Sequence, residues 1–219
     1  MRLDEILSER ADQAAEIVGL LQSGMVVDPE QGVIQIESDS DFISYLRKRY
    51  QVTEIGEGLY SLVYQGQGND YVLKYSDPND RWYKYAEFAK KSSSPYAPKI
   101  LFAGEPRFPS NSKYGVLEYL EIKPRGHWDH HTRKIFWNAT IDNDESPFDW
   151  AMYEVFELAD GKSIYPEEAK EFLDLIGVKD IGEFLKFINT VEQFGNLDIH
   201  DQNIGYRENG QLVIFDPVS

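Results

Sequence analysis

The 219-residue sequence predicts an α+β fold of two lobes. A small antiparallel sheet lobe comes first, a reduced and mainly helical lobe follows, and a helical extension precedes both. Two observations predict it. Between residues 52 and 120, short β-rich runs alternate with glycine and proline punctuation and enclose one helical pattern. From residue 166, apolar residues recur at three- and four-residue steps until a closing segment of loop, strand, turn and strand. The expected divisions are an N-terminal extension (1–50), a sheet lobe (51–121) and a helical lobe (122–219).

The elements follow in order. Residues 4–22 read as a helix, with Ile6, Leu7, Ala11, Ala14, Ile17, Val18 and Leu21 on one face and Gly24 as its stop. Val33, Ile34 and Ile36 suggest a short strand. Phe42, Ile43 and Leu46 mark a second helix. Val52–Ile55, Ser61–Tyr64 and Tyr71–Tyr75 read as a three-strand meander separated by Gly56, Gly58, Gly66 and Gly68, with a clipped hairpin over 65–70. Residues 82–91 form a helix ended by the Ser92–Pro98 stretch. Ile100–Ala103 and Tyr114–Leu120 are two further strands. Residues 122–150 carry no clear period, and 151–160 fit strand or helix. Helices return at Pro166–Leu175 and at Ile181–Phe194, the latter with capping-box spacing at Asp180 and Glu183 and a stop at Gly195. Asn209-Gly210 is a hairpin signal between Ile204–Tyr206 and Leu212–Phe215.

Composition narrows the function classes. The absence of cysteine excludes disulfides, a thiolate nucleophile and Cys-ligated zinc. No apolar run reaches 18 residues and the acidic start is no signal peptide, so a soluble, cytoplasmic protein is expected, with no membrane partner. With 22 basic and 38 acidic residues, the net charge is −16. Such a surface disfavours nucleic acid and favours encounter with a basic protein partner, or serves solubility alone. Any nucleotide site in this field needs its own cation, and Lys74 is the candidate. Oligomeric state is not readable.

The chemistry concentrates in the last stretch, Leu197-Asp198-Ile199-His200-Asp201-Gln202-Asn203 followed by Leu212-Val213-Ile214-Phe215-Asp216-Pro217. An acid, an amide five residues on and an acid thirteen beyond that can hold a hydroxyl and a hard cation over one phosphate. Each residue alone is an ordinary loop residue. Together, and in this order, they form the base-and-metal half of a phosphotransfer site. Upstream, Gly56 and Gly58 bring backbone N–H groups within reach of phosphate oxygens, with Ser61 in the position of a third glycine. Lys74, on the next strand, can reach the α- and β-phosphates. Glu87 on the following helix is the best partner for it, although a solvated carboxylate fits equally well. His127-Trp128-Asp129-His130-His131 invites a metal reading, but a polar loop is preferred because the ligands lack firm spacing.

Asp-x-His-x-x-Asn followed by a strand ending Asp-Pro-Val-Ser resembles the early-region serine/threonine kinases of tailed bacteriophages. More loosely it is similar to aminoglycoside and other small-molecule phosphotransferases. The glycine loop with Ser61 and Tyr64 shares the phage-kinase likeness, which spans roughly 51–121 and 180–219. The resemblance implies a protein-kinase-like fold and the cofactors ATP and Mg²⁺. It makes Asp198 the catalytic base, Asn203 and Asp216 the metal ligands and Lys74 the nucleotide lysine. Gly56, Gly58 and Ser61 would line the phosphates, and Glu118, Tyr119 and Leu120 would be the hinge to adenine. His200 would steady the loop or touch the transferred phosphate, with core packing as the alternative.

Its function would be phosphorylation of host proteins on Ser or Thr during host shutoff, in the host bacterial cytoplasm. Two rivals stay open: a small-molecule kinase, and a kinase-shaped acidic protein that binds a host target without catalysis. Ordinary protein kinases continue past this Asp with an activation segment. Here Pro217 stands for the usual Phe and the chain stops at Ser219, as a compact minimum or a fragment.

Overall fold

A computed structural model describes residues 3–28, 32–58, 61–66, 70–141 and 146–218, with backbone alone for 3–12, 28 and 58. The predicted side-chain face at Ile6, Leu7 and Ala11 and the turn at Gln67, Gly68 and Asn69 lie outside the described residues. The chain divides into two compact units. One comprises residues 1–91 and 99–119, the other 92–98 and 120–219.

The first unit begins with α1 (Leu3–Ser23), stopped at Gly24, whose φ of +70° lies in the left-handed region that favours glycine. A hairpin follows, β1 (Met25–Asp28) against β2 (Gly32–Gln35). Only the second of these strands is legible as sequence, although each is four residues long. Helix α2 (Asp39–Tyr50) starts at Ser38, whose hydroxyl accepts the Asp41 N–H, and ends in Arg47, Lys48 and Arg49, where cations complement the helix dipole.

Then come β3 (Thr53–Gly58), β4 (Ser61–Gln65), β5 (Tyr71–Ser76), α3 (Trp82–Lys91), β6 (Ile100–Gly104) and β7 (Lys113–Glu118). The sheet is antiparallel in the order β3-β4-β5-β7-β6. Strand β7 thus lies between the lysine strand β5 and the edge strand β6. One core joins α1 and α2 to the sheet through Ile17, Leu21, Phe42, Leu46, Leu73 and Tyr114. Tyr114 meets Phe42 and Phe108 edge-on, those two rings are tilted to each other, and the Tyr114 hydroxyl donates to Asp39 at 2.6 Å, tying α2 to β7.

In the second unit the span without period resolves into α4 (Asp129–Ile135) and the start of α5 (Pro147–Ala159). His130 and His131 therefore sit on a short helix and not in the expected polar loop. Residues 151–160 are helical up to Ala159: Ser146 caps α5, and Phe148, Ala151, Met152 and Val155 recur at helical spacing toward the core. Helix α6 (Pro166–Leu175) matches its predicted bounds. Helix α7 (Ile181–Val191) passes into a 3₁₀ turn, Glu192–Phe194, before an extended Gly195. The unit closes with β8 (Ile204–Tyr206) and β9 (Leu212–Ile214). Between them the Gly210 N–H donates to Arg207 and the Arg207 N–H to Gln211, with Gly210 at a φ of +74°. Among the described residues, no helix is long and apolar enough to cross a membrane.

Candidate functional site

The site residues fall in both units, and each set has its own scaffold. In the second unit, the loop from Asp198 to Asn203 is sewn to the closing strand. The Asp198 N–H donates to the Pro217 carbonyl at 2.8 Å, and the Phe215 N–H donates to the Asn203 carbonyl at 3.1 Å. These bonds flank Asp216 on both sides. Within the loop, Asn203 Nδ2 donates to the Asp198 carbonyl at 2.6 Å and the Asn203 N–H to the His200 carbonyl at 2.9 Å. The three residues singled out by spacing are therefore held together by backbone geometry.

Their exposure differs in a useful way. Ile199 and Ile204 are buried and anchor the loop, whereas Asp198 is exposed and Asn203 and Asp216 are half-buried. With Asn203 Nδ2 spent on Asp198, its amide oxygen is turned the other way. An amide oxygen and a carboxylate at a strand end are the hard donors a magnesium ion takes, so the residues fit that ion. Among the described residues, no three His, Asp or Glu are grouped to hold a metal, at His127–His131 or elsewhere.

His200 acts on the loop itself. Its Nδ1 accepts the Gln202 N–H at 3.2 Å. Asp201, buried and not predicted, accepts the Gly126 N–H at 2.6 Å and pins the loop to the turn before α4. Asp149 was also missed. Desolvation by the surrounding protein pushes its carboxyl above the ordinary range and Asp201 adds to this, while His200 acts the other way. Asp149 lies in the span without legible period, so nothing in the sequence marked it.

The hinge prediction falls where the chain passes from one unit to the other, between Tyr119 and Leu120. Glu118 Oε1 accepts the Lys99 N–H at 2.7 Å, and the Tyr119 N–H donates to Asp70 at 2.8 Å. Leu120 is buried in the second unit, where a Cβ added at Gly205 would lie 2.6 Å from its own Cβ. Gly205 is thus a packing requirement, absent from the sequence reading.

In the first unit, Gly56 pairs with Val63 and Gly58 with Ser61 at the end of the β3–β4 hairpin, whose tip at Leu59 and Tyr60 lies outside the described residues. Gly56 has ordinary backbone angles, and among the described residues a Cβ there would meet only Val63 at 3.8 Å. Lys74 is buried on β5 with a carboxylate oxygen of Asp80, Oδ2, at 3.7 Å. Glu87, the predicted partner, is exposed and accepts the Tyr83 hydroxyl at 3.3 Å, which is the solvated alternative. Asp80 had a signal in the sequence: an acid two residues before an apolar helix start is an N-cap.

Glycine hairpin, lysine on the third strand, helix, two strands, helices, then Asp and Asn on a loop and Asp at a strand end complete a recognisable order. It is the order that the resemblance to kinases implies. No protein-family model and no curated protein matches the sequence. Among solved structures, the chain is similar to a crystal structure of Rad53 residues 1–466 in complex with AMP-PNP, at 13% identity and a TM-score of 0.36. The match covers 84% of this chain and 43% of that one, so the chain spans less than half of its length.

Proposed function

We propose that the protein is an ATP-dependent phosphotransferase, and within that class a phage-type serine/threonine kinase acting on host proteins. The convergence of Asp198, Asn203 and Asp216 through the Asp198–Pro217 and Phe215–Asn203 backbone bonds carries this reading. In it, Asp198 accepts the proton of the acceptor hydroxyl as its oxygen attacks the γ-phosphorus and the bond to the β-phosphate oxygen breaks. Its exposure suits this role, because a base must meet a substrate that arrives from solvent. Asn203 and Asp216 would hold magnesium, which neutralises phosphate charge when bound. His200 keeps the loop closed through Gln202. Lys74 carries the α- and β-phosphates, and Gly56, Gly58 and Ser61 admit them: the room for a Cβ at Gly56 leaves its glycine unexplained by packing, and close approach of a ligand explains it.

A protein acceptor is favoured by the charge of −16, which draws a basic partner toward the molecule. The test is transfer from γ-labelled ATP with Mg²⁺ to a bacterial lysate, against small-molecule hydroxyl acceptors. Label on protein that Asp198→Ala and Asp216→Ala each remove is the expected result. Label on small molecules alone moves the acceptor class. Undiminished transfer by both variants ends the mechanism.

A further inference from the structure

We propose that Asp80 and Trp82 are the positioning residues of Lys74, and that they do what the sequence reading assigned to Glu87 on the following helix. The inference rests on the reading of Lys74 as the nucleotide lysine. Three separately placed features converge on its ammonium. Asp80 Oδ2 stands 3.7 Å from Nζ, while Oδ1 of the same carboxylate accepts the Trp82 N–H at 2.8 Å and caps α3. The cap fixes the carboxylate, and the fixed carboxylate fixes the lysine. Nζ also lies 4.5 Å from the centroid of the Trp82 indole, a fully buried ring. Gly115 pairs with Lys74 across β5 and β7, and a Cβ on it would lie 2.2 Å from that indole. The sheet thus omits a side chain opposite the lysine to admit the ring beside it.

A buried ammonium is costly unless it is compensated. Here one source of compensation lies six residues away, across a turn closed by the Asp80 N–H to Asp77 and the Asn79 N–H to the Asp77 carboxylate. A carboxylate further along a helix reaches the lysine only when the whole helix is correctly set, which makes helix position a switch. A carboxylate on the connecting turn is in place whenever the turn is formed. The phosphate-binding lysine is therefore preorganised, with no dependence on the later turns of α3.

Two measurements on the full chain test this. In spectra of ¹³C-labelled lysine, where Lys113 over the Tyr83 ring gives a second shifted signal, the Lys74 ε-methylene should be shifted upfield by the ring current of the indole. It should vanish in Lys74→Met and move to the ordinary position in Trp82→Leu. In steady-state transfer, Asp80→Asn keeps the cap but loses the charge. It should raise KM for ATP by about 3- to 30-fold with a smaller change in kcat, and Trp82→Phe should do the same to a lesser degree. A variant harmed only in its folding would lose kcat and keep KM. No shifted resonance that Lys74→Met removes, or a larger rise in KM for Glu87→Gln than for Asp80→Asn, overturns the proposal. A shifted resonance in a protein that binds no ATP overturns the phosphotransfer reading and leaves the Lys74 clamp standing.

Discussion

At the scale of single residues, the glycines separate packing from function. Gly205 and Gly115 each face a side chain that a Cβ would strike, at 2.6 Å for Leu120 and 2.2 Å for Trp82. Neither obstacle is the flexible end of a chain, so alanine at either position should cost about 1–3 kcal/mol, as overpacking does. Chemical denaturation of Gly205→Ala and Gly115→Ala checks this, and Gly56→Ala provides the contrast. It should leave stability nearly unchanged and weaken ATP binding, because among the described residues only Val63 at 3.8 Å meets its new methyl. Asp149 supplies a pH prediction. Its folded-state affinity for a proton is raised, chiefly by desolvation. The unfolded chain therefore releases that proton first, and Asp149 makes stability fall as pH rises from about 4 toward the raised value. Asp149→Asn removes that fall. Its stability relative to wild type should climb through this range and then level off, as urea titrations between about pH 4 and pH 7 would show.

At the scale of elements, legibility tracked local signals. Helix α6 matched its predicted bounds, because proline at the start and apolar residues at helical steps are local features. Asp180 capped α7 as its spacing with Glu183 implied, its carboxylate accepting the Glu183 N–H at 2.9 Å. Asp180→Ala should accordingly cost about 0.5–2 kcal/mol, measurable by denaturation. What stayed hidden depends on distant partners. Strand β1 exists because β2 pairs with it, and α4 begins at Asp129 without a side-chain cap. Asp80 was not singled out beside Lys74, because nothing local says which carboxylate a strand lysine meets. Arg207 is the plainest omission. Its guanidinium donates to the carbonyls of Pro95 and Ala97 at 2.8 and 2.9 Å, while the Ile214 N–H donates to Tyr96 and the Tyr96 hydroxyl bridges Asp180. The Ser92–Pro98 stretch, legible only as a helix breaker, is thereby fastened to the second unit. Arg207→Met should cost about 1–3 kcal/mol for carbonyls left without donors. Arg207→Lys should recover only part of it, since one ammonium does not reproduce a fork.

At the scale of the molecule, charge is the property that no single contact explains. A net −16 places a negative potential around a chain whose proposed ligands include a nucleotide polyanion. Local arrangement must outweigh that field, and a buried lysine held between a carboxylate and an indole is such an arrangement. The field acts differently on the two substrates of the proposed reaction. ATP is repelled at long range, so added salt should leave its association unchanged or improve it. A basic acceptor is attracted, so added salt should slow its encounter. Screening lengths shorten to about 8 Å at physiological ionic strength, so the effect should be steep below that point and flat above it. The expected outcome is a kcat/KM for a lysine- and arginine-rich peptide acceptor that falls severalfold between low and physiological salt, while KM for ATP does not rise. A kcat/KM equally insensitive to salt for basic and neutral acceptors would assign the acidic surface to solubility alone. The basic-partner expectation would then lose its support, with the phosphotransfer chemistry at Asp198 untouched.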